Sequence, residues 1–593
     1  MAITTTPYQQ TRWSLAALLP AAAGPAVEQV IAELEAVTAS IEALRPTLSP
    51  EMAGQAFANI LQQVERFAEL ASRLGAYGQL WFSEDTQNQK ALAFMGRMEQ
   101  LLTEAQNRIL FFSLWWKALD DEPAARLLAY AGDLRYKLEQ DRLFKDHTLA
   151  ESEEKIINLK DINGVSALVN LYDMMTSKFV FELEVDGEKK KLTRDELMVY
   201  VRNPSPALRQ AAYQEQFRVY EQEATVLAQI YIHRVRDWAS ENLNLRRFSA
   251  PMAVRNLSND IPDAVVDTLL AVCAEQSTVF HRYFKLKAGW LGLDKLRRYD
   301  LYAPLSQESD KQIPYGQAVD MVLDSFSQFS PMITNLAERV FKNGHIDGEI
   351  RPGKRGGAFC AGILPGVTPW VLVNYTGEPR QVATLAHELG HAIHALLAAD
   401  HSVLTFHSAL PMAETASVFS EMLLTDRLLA EEQEPQLRRN LLAEAVDDAY
   451  ATILRQAYFV IFEREAHRMV AENQTMDELN QQYLANLSQQ FGDSIELSAD
   501  FQREWICIPH IYHTPFYCYA YSFGQLLALS LYQQYKEEGR TFEPKLRQIL
   551  AYGGAASPQH ILSEAGIDMA DPDFWRSGFK VVERMIDELA ELS

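Results

Sequence analysis

The chain has 593 residues, 48% of them hydrophobic and 23% charged, with 55 basic against 79 acidic side chains and a net charge of −24. That length exceeds what one core supports, and the composition is that of a globular protein with no apolar run long enough to span a bilayer, so no membrane partner is expected. Nucleic acid is excluded as a partner because no basic stripe offsets the acidity and could displace counterions from phosphates.

The segment Trp13 to Val27 is apolar and ends in small residues, as a signal peptide would. Arg12 is the only basic residue before it and Pro20 interrupts it, so an N-terminal packing segment is expected instead of an export signal. Apolar residues then recur at i, i+3, i+4 and i+7 over Val27 to Leu44, Phe57 to Leu74 and Leu92 to Leu119, and again over Val265 to Leu293 and Leu441 to Val470. This period predicts long amphipathic helices and a mainly α protein.

Two short stretches read as strands. Lys178 to Leu192 predicts a hairpin turning at Asp186-Gly187, and Gly357 to Tyr375 predicts a second one. After the first hairpin, Thr193-Arg194-Asp195-Glu196 reads as a helix start and Asn203-Pro204-Ser205-Pro206 as a breaker. The expected division is an N-terminal helical domain over 1–195 and a catalytic domain over 196–593. Cys273, Cys360, Cys507 and Cys518 are too dispersed for a disulfide framework and form no CxxC pair, which points to a reducing cytoplasm.

The strongest chemical signal lies in Pro379 to Ala398, where Pro occupies a first helical turn and only Gly390 interrupts the run. His387 and His391 are four residues apart, so both imidazoles project from one helical face and reach one ion at ~2.0–2.1 Å. Glu388 sits one position aside, where a carboxylate takes a proton from water activated by the ion. A catalytic zinc keeps three protein ligands, and Glu414, in Leu410 to Leu424, is the candidate for the third. Small Ala413 and Ala416 beside it allow this segment to approach the metal helix, and Glu421 lies two turns further on the same face, as a surface carboxylate or a group behind the ligands. His394 is read as a pocket residue, and His401 and His407 as loop or cleft residues.

Lys354 to Cys360 (KRGGAFC), Thr384 to His394 (TLAHELGHAIH), Met412 to Glu421 (MAETASVFSE), His147 to Leu159 and Pro509 to Tyr521 (PHIYHTPFYCYAY) together resemble the oligoendopeptidase F group of the thimet-oligopeptidase family of zinc metallopeptidases. The resemblance spans nearly the whole chain, and Arg12-Trp13-Ser14-Leu15 resembles the mature start of such enzymes. It implies a two-lobed helical clamshell with a deep substrate channel, a small β-sheet near one zinc ion, and endopeptidase action on short oligopeptides. It implies Glu414 as third ligand, in agreement with the spacing. It also implies a histidine and tyrosines near the C-terminus that hold the carbonyl oxygen as it becomes an oxyanion, carried here by His510, Tyr512 and Tyr519, with His513 as the alternative histidine.

Tyr512 and Tyr519 are seven apart and share a face if the segment is one helix; the same aromatic run also suits a core. The small residues before Cys360, with Gly357, Ala358 and Phe359 as the binding stretch, invite a substrate backbone to add as a further strand, although a plain hairpin fits them too. Two other functions share part of these signals. A zinc carboxypeptidase needs a cation for the terminal carboxylate, and no Arg or Lys falls between His510 and Leu531. A peptide-binding scaffold without chemistry would not require His387, Glu388, His391 and Glu414 together.

Overall fold

The computed structural model describes residues 8–305 and 312–592. The chain folds into two compact units, each assembled from three separate stretches. The first comprises Met1–Lys145, Asp310–Glu431 and Gln534–Asp568; the second comprises Asp146–Ser309, Glu432–Gln533 and Met569–Ser593. The boundary expected at 195 therefore falls inside the second unit. The texture of the sequence reveals local breaks, whereas these units are defined by packing between stretches hundreds of residues apart. Among the described residues no helix is long and apolar enough to cross a membrane.

In the first unit, helices Pro25–Ala43, Gly54–Glu84 and Gln89–Ala118 realise the first three amphipathic runs. Asn88 starts the third by accepting the Lys90 and Ala91 N–H groups on its side chain. Their apolar stripes bury Val27, Phe57, Leu74 and Trp116 in one core with Trp13 and Leu18 from the N-terminal packing segment. The Trp13 indole donates to Glu84, and the Trp370 indole donates to the Ser14 carbonyl at 2.9 Å, which ties that segment to the sheet of the same unit.

That sheet has Trp370–Leu372 at its centre, parallel to Ile346–Asp347 and antiparallel to Phe359–Ala361, in the register Phe359↔Leu372 and Ala361↔Trp370. The expected second hairpin is thus present, with a third strand. Lys354 pins the loop before it: the buried ammonium donates to the carbonyls of Asp347, Glu349 and Val373 at 2.8–3.0 Å and lies 2.9 Å from the Asp347 carboxylate. A buried lysine is tolerable because each of its protons has an acceptor.

In the second unit, Phe181–Val185 and Glu188–Leu192 pair antiparallel around Asp186 and Gly187, both at positive φ, which is the turn a two-residue hairpin favours. Thr193 and Glu196 then form a capping box on helix Arg194–Tyr200. The apolar run from 265 to 293 divides at Gln276 into Asp263–Glu275 and Ser277–Trp290. The run from 441 to 470 carries a π turn, Tyr450–Leu454, between Pro435–Ala449 and Arg455–Ala471.

Candidate metal centre and active site

Helix Pro379–Leu397 carries His387, Glu388 and His391 at mid-length, as the sequence requires. It crosses helix Thr415–Glu431, and Gly390 is where they meet: a Cβ there would lie 2.6 Å from the Ala416 carbonyl oxygen and 2.6 Å from Ser417 Cα. Only a residue without a side chain permits that approach. Glu414 sits just before the second helix, after a 3₁₀ turn at Leu410–Met412, and its carboxylate reaches both histidines. Its Oε2 lies 3.3 Å from His387 Nε2 and 3.4 Å from His391 Nε2, and accepts the Ser417 hydroxyl at 2.8 Å.

These residues fit a zinc ion. One donor atom from each of His387, His391 and Glu414 lies within 4.8 Å of the others, and this is the only such group of three His, Cys, Asp or Glu side chains among the described residues. Ligands held ~2.0–2.1 Å from one tetrahedral ion are roughly 3.3–3.4 Å apart, which is the spacing observed from Glu414 to each histidine. Burial disfavours a charged His387 imidazole, yet hydrogen bonds and charge from Glu414 and Glu421 outweigh it and raise its pKa to about 10. Burial also works against the Glu414 carboxylate, but the two imidazoles hold it well below the usual range. A cluster that draws a proton this strongly is built to surround positive charge.

Glu421 stands behind the ligands and hydrogen-bonds His387 Nδ1, leaving Nε2 directed at Glu414. That contact fixes the orientation of the ring. Glu388 is buried, its Oε2 has no hydrogen-bond partner among the described residues, and burial raises its pKa against the opposing pull of His387 and His391. A basic oxygen with no protein partner beside three converging ligand atoms has the character of a group that handles a substrate proton.

The site opens into a cavity of about 470 Å³ whose walls include the ligands, Glu388, the strand Phe359–Ala361 with Ala358, and His394, Phe406 and His407. Ala358 and Phe359 line this cavity. Gly357 is adjacent, its carbonyl accepting the Asn374 amide at 2.8 Å. His394 lies in the wall outside the ligand group, with burial and then His391 lowering its pKa to about 4. His401 is bound to Asp133 at 2.7 Å and to the Ala551 carbonyl at 2.9 Å, away from this chemistry. Phe406 and Ile363 escaped the sequence reading; neither stands in a motif, and only packing brings them to the cavity, while Ser417, within the Met412 to Glu421 stretch, carries no signal for its hydrogen bond to Glu414.

The oxyanion residues named from sequence lie in the second unit, and their arrangement requires a correction. Pro509–His513 and Tyr519–Glu538 are separate helices, so a seven-residue spacing across them does not define one face. Tyr512 is fully buried, stacked on Tyr172 at 3.9 Å, and Tyr519 is fully buried with its hydroxyl accepting from Asn259 at 2.9 Å. Both rings pack within the core of that unit, and the Tyr512 hydroxyl has no hydrogen-bond partner among the described residues. The partly exposed side chains are His510, Tyr517 and Tyr521, with the Tyr521 hydroxyl 3.4 Å from His510 Nε2 and its ring edge-on to Tyr517 at 5.3 Å. His513 instead pairs with Asp173 at 2.8 Å.

Peptidase family M3 matches residues 199–581, a span that includes His387, Glu388, His391 and Glu414. The chain belongs to peptidase family M3. Oligopeptidase PepF of Bacillus subtilis is 24% identical to this M3 peptidase over 540 residues, 89% of this chain and 80% of that protein. Group B oligopeptidase PepB of Streptococcus agalactiae is 26% identical over 547 residues, 90% of each. The fold matches a crystal structure from Chlamydophila abortus with a TM-score of 0.88 at 23% identity, covering 98% of both chains. It matches the crystal structure of oligoendopeptidase-F from Enterococcus faecium with a TM-score of 0.72 at 21% identity, covering 95% of this chain and 98% of that one. This M3 chain is a metalloendopeptidase.

Proposed function

We propose that this M3 peptidase is a zinc enzyme that hydrolyses internal bonds of short oligopeptides, with Glu388 as general base. The observation that carries the reading is the unpartnered, buried Glu388 oxygen beside the converging atoms of His387, His391 and Glu414. Zinc held by those three residues supplies Lewis acidity that makes water a nucleophile near neutral pH. Glu388 accepts the proton of the attacking water and delivers it to the leaving amine, and its raised pKa suits both transfers. Glu421 keeps the His387 ring oriented throughout.

The substrate backbone adds to the strand Phe359–Ala361, an edge strand whose one partner among the described residues is Trp370–Leu372. In the second unit, the oxyanion role implied by the resemblance passes to His510 with Tyr517 and Tyr521, because these side chains reach the surface. The names of the bacterial relatives support oligopeptides as the substrate class. A cytoplasmic location belongs to the same proposal and is checked by cell fractionation.

A mixed peptide library digested with and without chelator, read by mass spectrometry, tests the activity. Internal cleavage that stops on chelation and returns with zinc is expected. Glu388→Gln should keep one zinc per chain and lose at least ~10²-fold in kcat. Release of single C-terminal residues, or undiminished turnover in Glu388→Gln, would refute the reading.

A further inference from the structure

The segment from Ile506 to Phe516 in the second unit is held at its backbone by five side chains from that unit. Tyr172 donates to the Ile506 carbonyl at 3.2 Å and Arg194 to the Cys507 carbonyl at 2.9 Å. Arg234 donates to the Tyr512 carbonyl at 3.0 Å, and Arg255 to the Pro515 carbonyl at 3.2 Å. Glu463 alone in this set is an acceptor, taking the Phe516 N–H on Oε1 at 2.9 Å.

Phe516 adopts φ +58°, the left-handed region, which costs a bulky side chain roughly 1–2 kcal/mol and persists only where the surroundings enforce it. Two features of helix Arg455–Ala471 enforce it. Glu463 holds the amide, and His467, one turn further along, packs its ring 4.6 Å from that of Phe516. The Glu463 carboxyl is fully buried and its Oε2 has no hydrogen-bond partner among the described residues. Burying a carboxyl is costly, and the hydrogen bond from the Phe516 N–H offsets part of that cost. Burial, opposed by the Phe516 amide and by Arg255, raises its pKa to about 8, so at neutral pH it is an uncharged acceptor. Immediately after the turn come Tyr517, and then Tyr521 on the next helix, beside His510.

We propose that Glu463 is a positioning residue for peptide hydrolysis: by accepting the Phe516 N–H it fixes the left-handed turn that sets Tyr517 and Tyr521 beside His510. The proposal rests on the role given above to those three side chains. Glu463 touches no reacting atom.

Glu463→Met removes the acceptor at similar volume, and Glu463→Gln keeps an acceptor oxygen. In the full-length zinc enzyme, Glu463→Met should lower kcat roughly 10–10²-fold, as a misplacement on the order of 1 Å does. KM for an internally quenched peptide and the zinc content should stay near wild type, while the Phe516 amide loses protection against hydrogen exchange. Glu463→Gln should recover most of kcat and the amide protection. Wild-type kcat in Glu463→Met, or equal loss in both variants, overturns the proposal. If Glu463→Met does not fold, Glu463→Gln alone decides, and more than a tenfold loss of kcat there overturns it. His510→Ala and Tyr521→Phe are measured alongside: unchanged kcat in both refutes the role of that face, whereas amide exchange separately reports whether Glu463 fixes the turn.

Discussion

Gly390→Ala tests the geometry of the metal centre without touching a ligand. The added methyl would lie 2.6 Å from both the Ala416 carbonyl oxygen and Ser417 Cα, and 2.8 Å from the Ser420 hydroxyl. Ser420 can rotate away, but the backbone at 416 and 417 cannot. Carbon atoms rest ~3.5–4.0 Å apart, so the second helix must withdraw by roughly 1 Å at this point. Glu414 is two residues before Ala416 and moves with it, while ligand geometry tolerates only about 0.5 Å. Overpacking of this kind costs ~1–3 kcal/mol in stability, and zinc affinity should fall roughly 10–100-fold, as when the support of a ligand is lost. Chelator competition on the purified protein measures the affinity, and thermal unfolding of the metal-free form measures the packing cost. Gly96→Ala is the control: it lies in an exposed helical position with nothing within 4 Å of the new methyl, and should be neutral or stabilising by ~0.5–1 kcal/mol. Wild-type zinc affinity in Gly390→Ala, with its melting temperature unchanged, would refute the argument that this crossing places Glu414.

Glu421→Gln should weaken zinc binding ~10–100-fold without abolishing it, because it alters only the hydrogen bond behind His387; chelator competition checks this. Tyr519→Phe should leave kcat and KM unchanged and lower stability by ~1–3 kcal/mol, because it removes the acceptor of a buried Asn259 donor. A fall in kcat by ~10²-fold or more, as for a lost oxyanion donor, would return Tyr519 to catalysis. Glu463 makes stability depend on pH. Its folded pKa of about 8 lies above the ordinary value of 4.5, so between these limits the unfolded chain is ionised while the folded one keeps its proton. Its contribution is complete below about pH 4.5 and is lost as pH rises through about 8, at ~1.4 kcal/mol per pH unit and up to ~5 kcal/mol. Arg255, Tyr231 and Cys518 face the same group. Denaturant unfolding of wild type and Glu463→Gln from pH 5 to 9 should show the wild type losing ground, and parallel curves would contradict it.

The metal helix was legible in the sequence because its logic is local: a four-residue spacing on a helix places two imidazoles on one face whatever the rest of the chain does. The hairpin at Asp186-Gly187 and the start at Thr193 follow equally from backbone preferences of a few residues. Glu414 was accessible as well, since small residues beside a carboxylate announce a close helix crossing, although it is Gly390 that meets the facing backbone. The C-terminal tyrosines were not. Their seven-residue spacing assumed one continuous helix, and Phe516, a residue that avoids positive φ when left to itself, turns the chain between them because Glu463 and His467 hold it there. That turn sends Tyr512 and Tyr519 into the core and leaves Tyr517 and Tyr521 beside His510. The compact units were hidden for the same reason: each joins three stretches of chain, and no local preference records which distant surfaces will be buried together. Periodicity and capping depend on neighbours in sequence, so the sequence determined the helices and the pair of imidazoles, His387 and His391, that one of them carries. The surroundings that fix Phe516, orient His387 through Glu421 and wall the cavity depend on neighbours in space, which only the tertiary structure supplies.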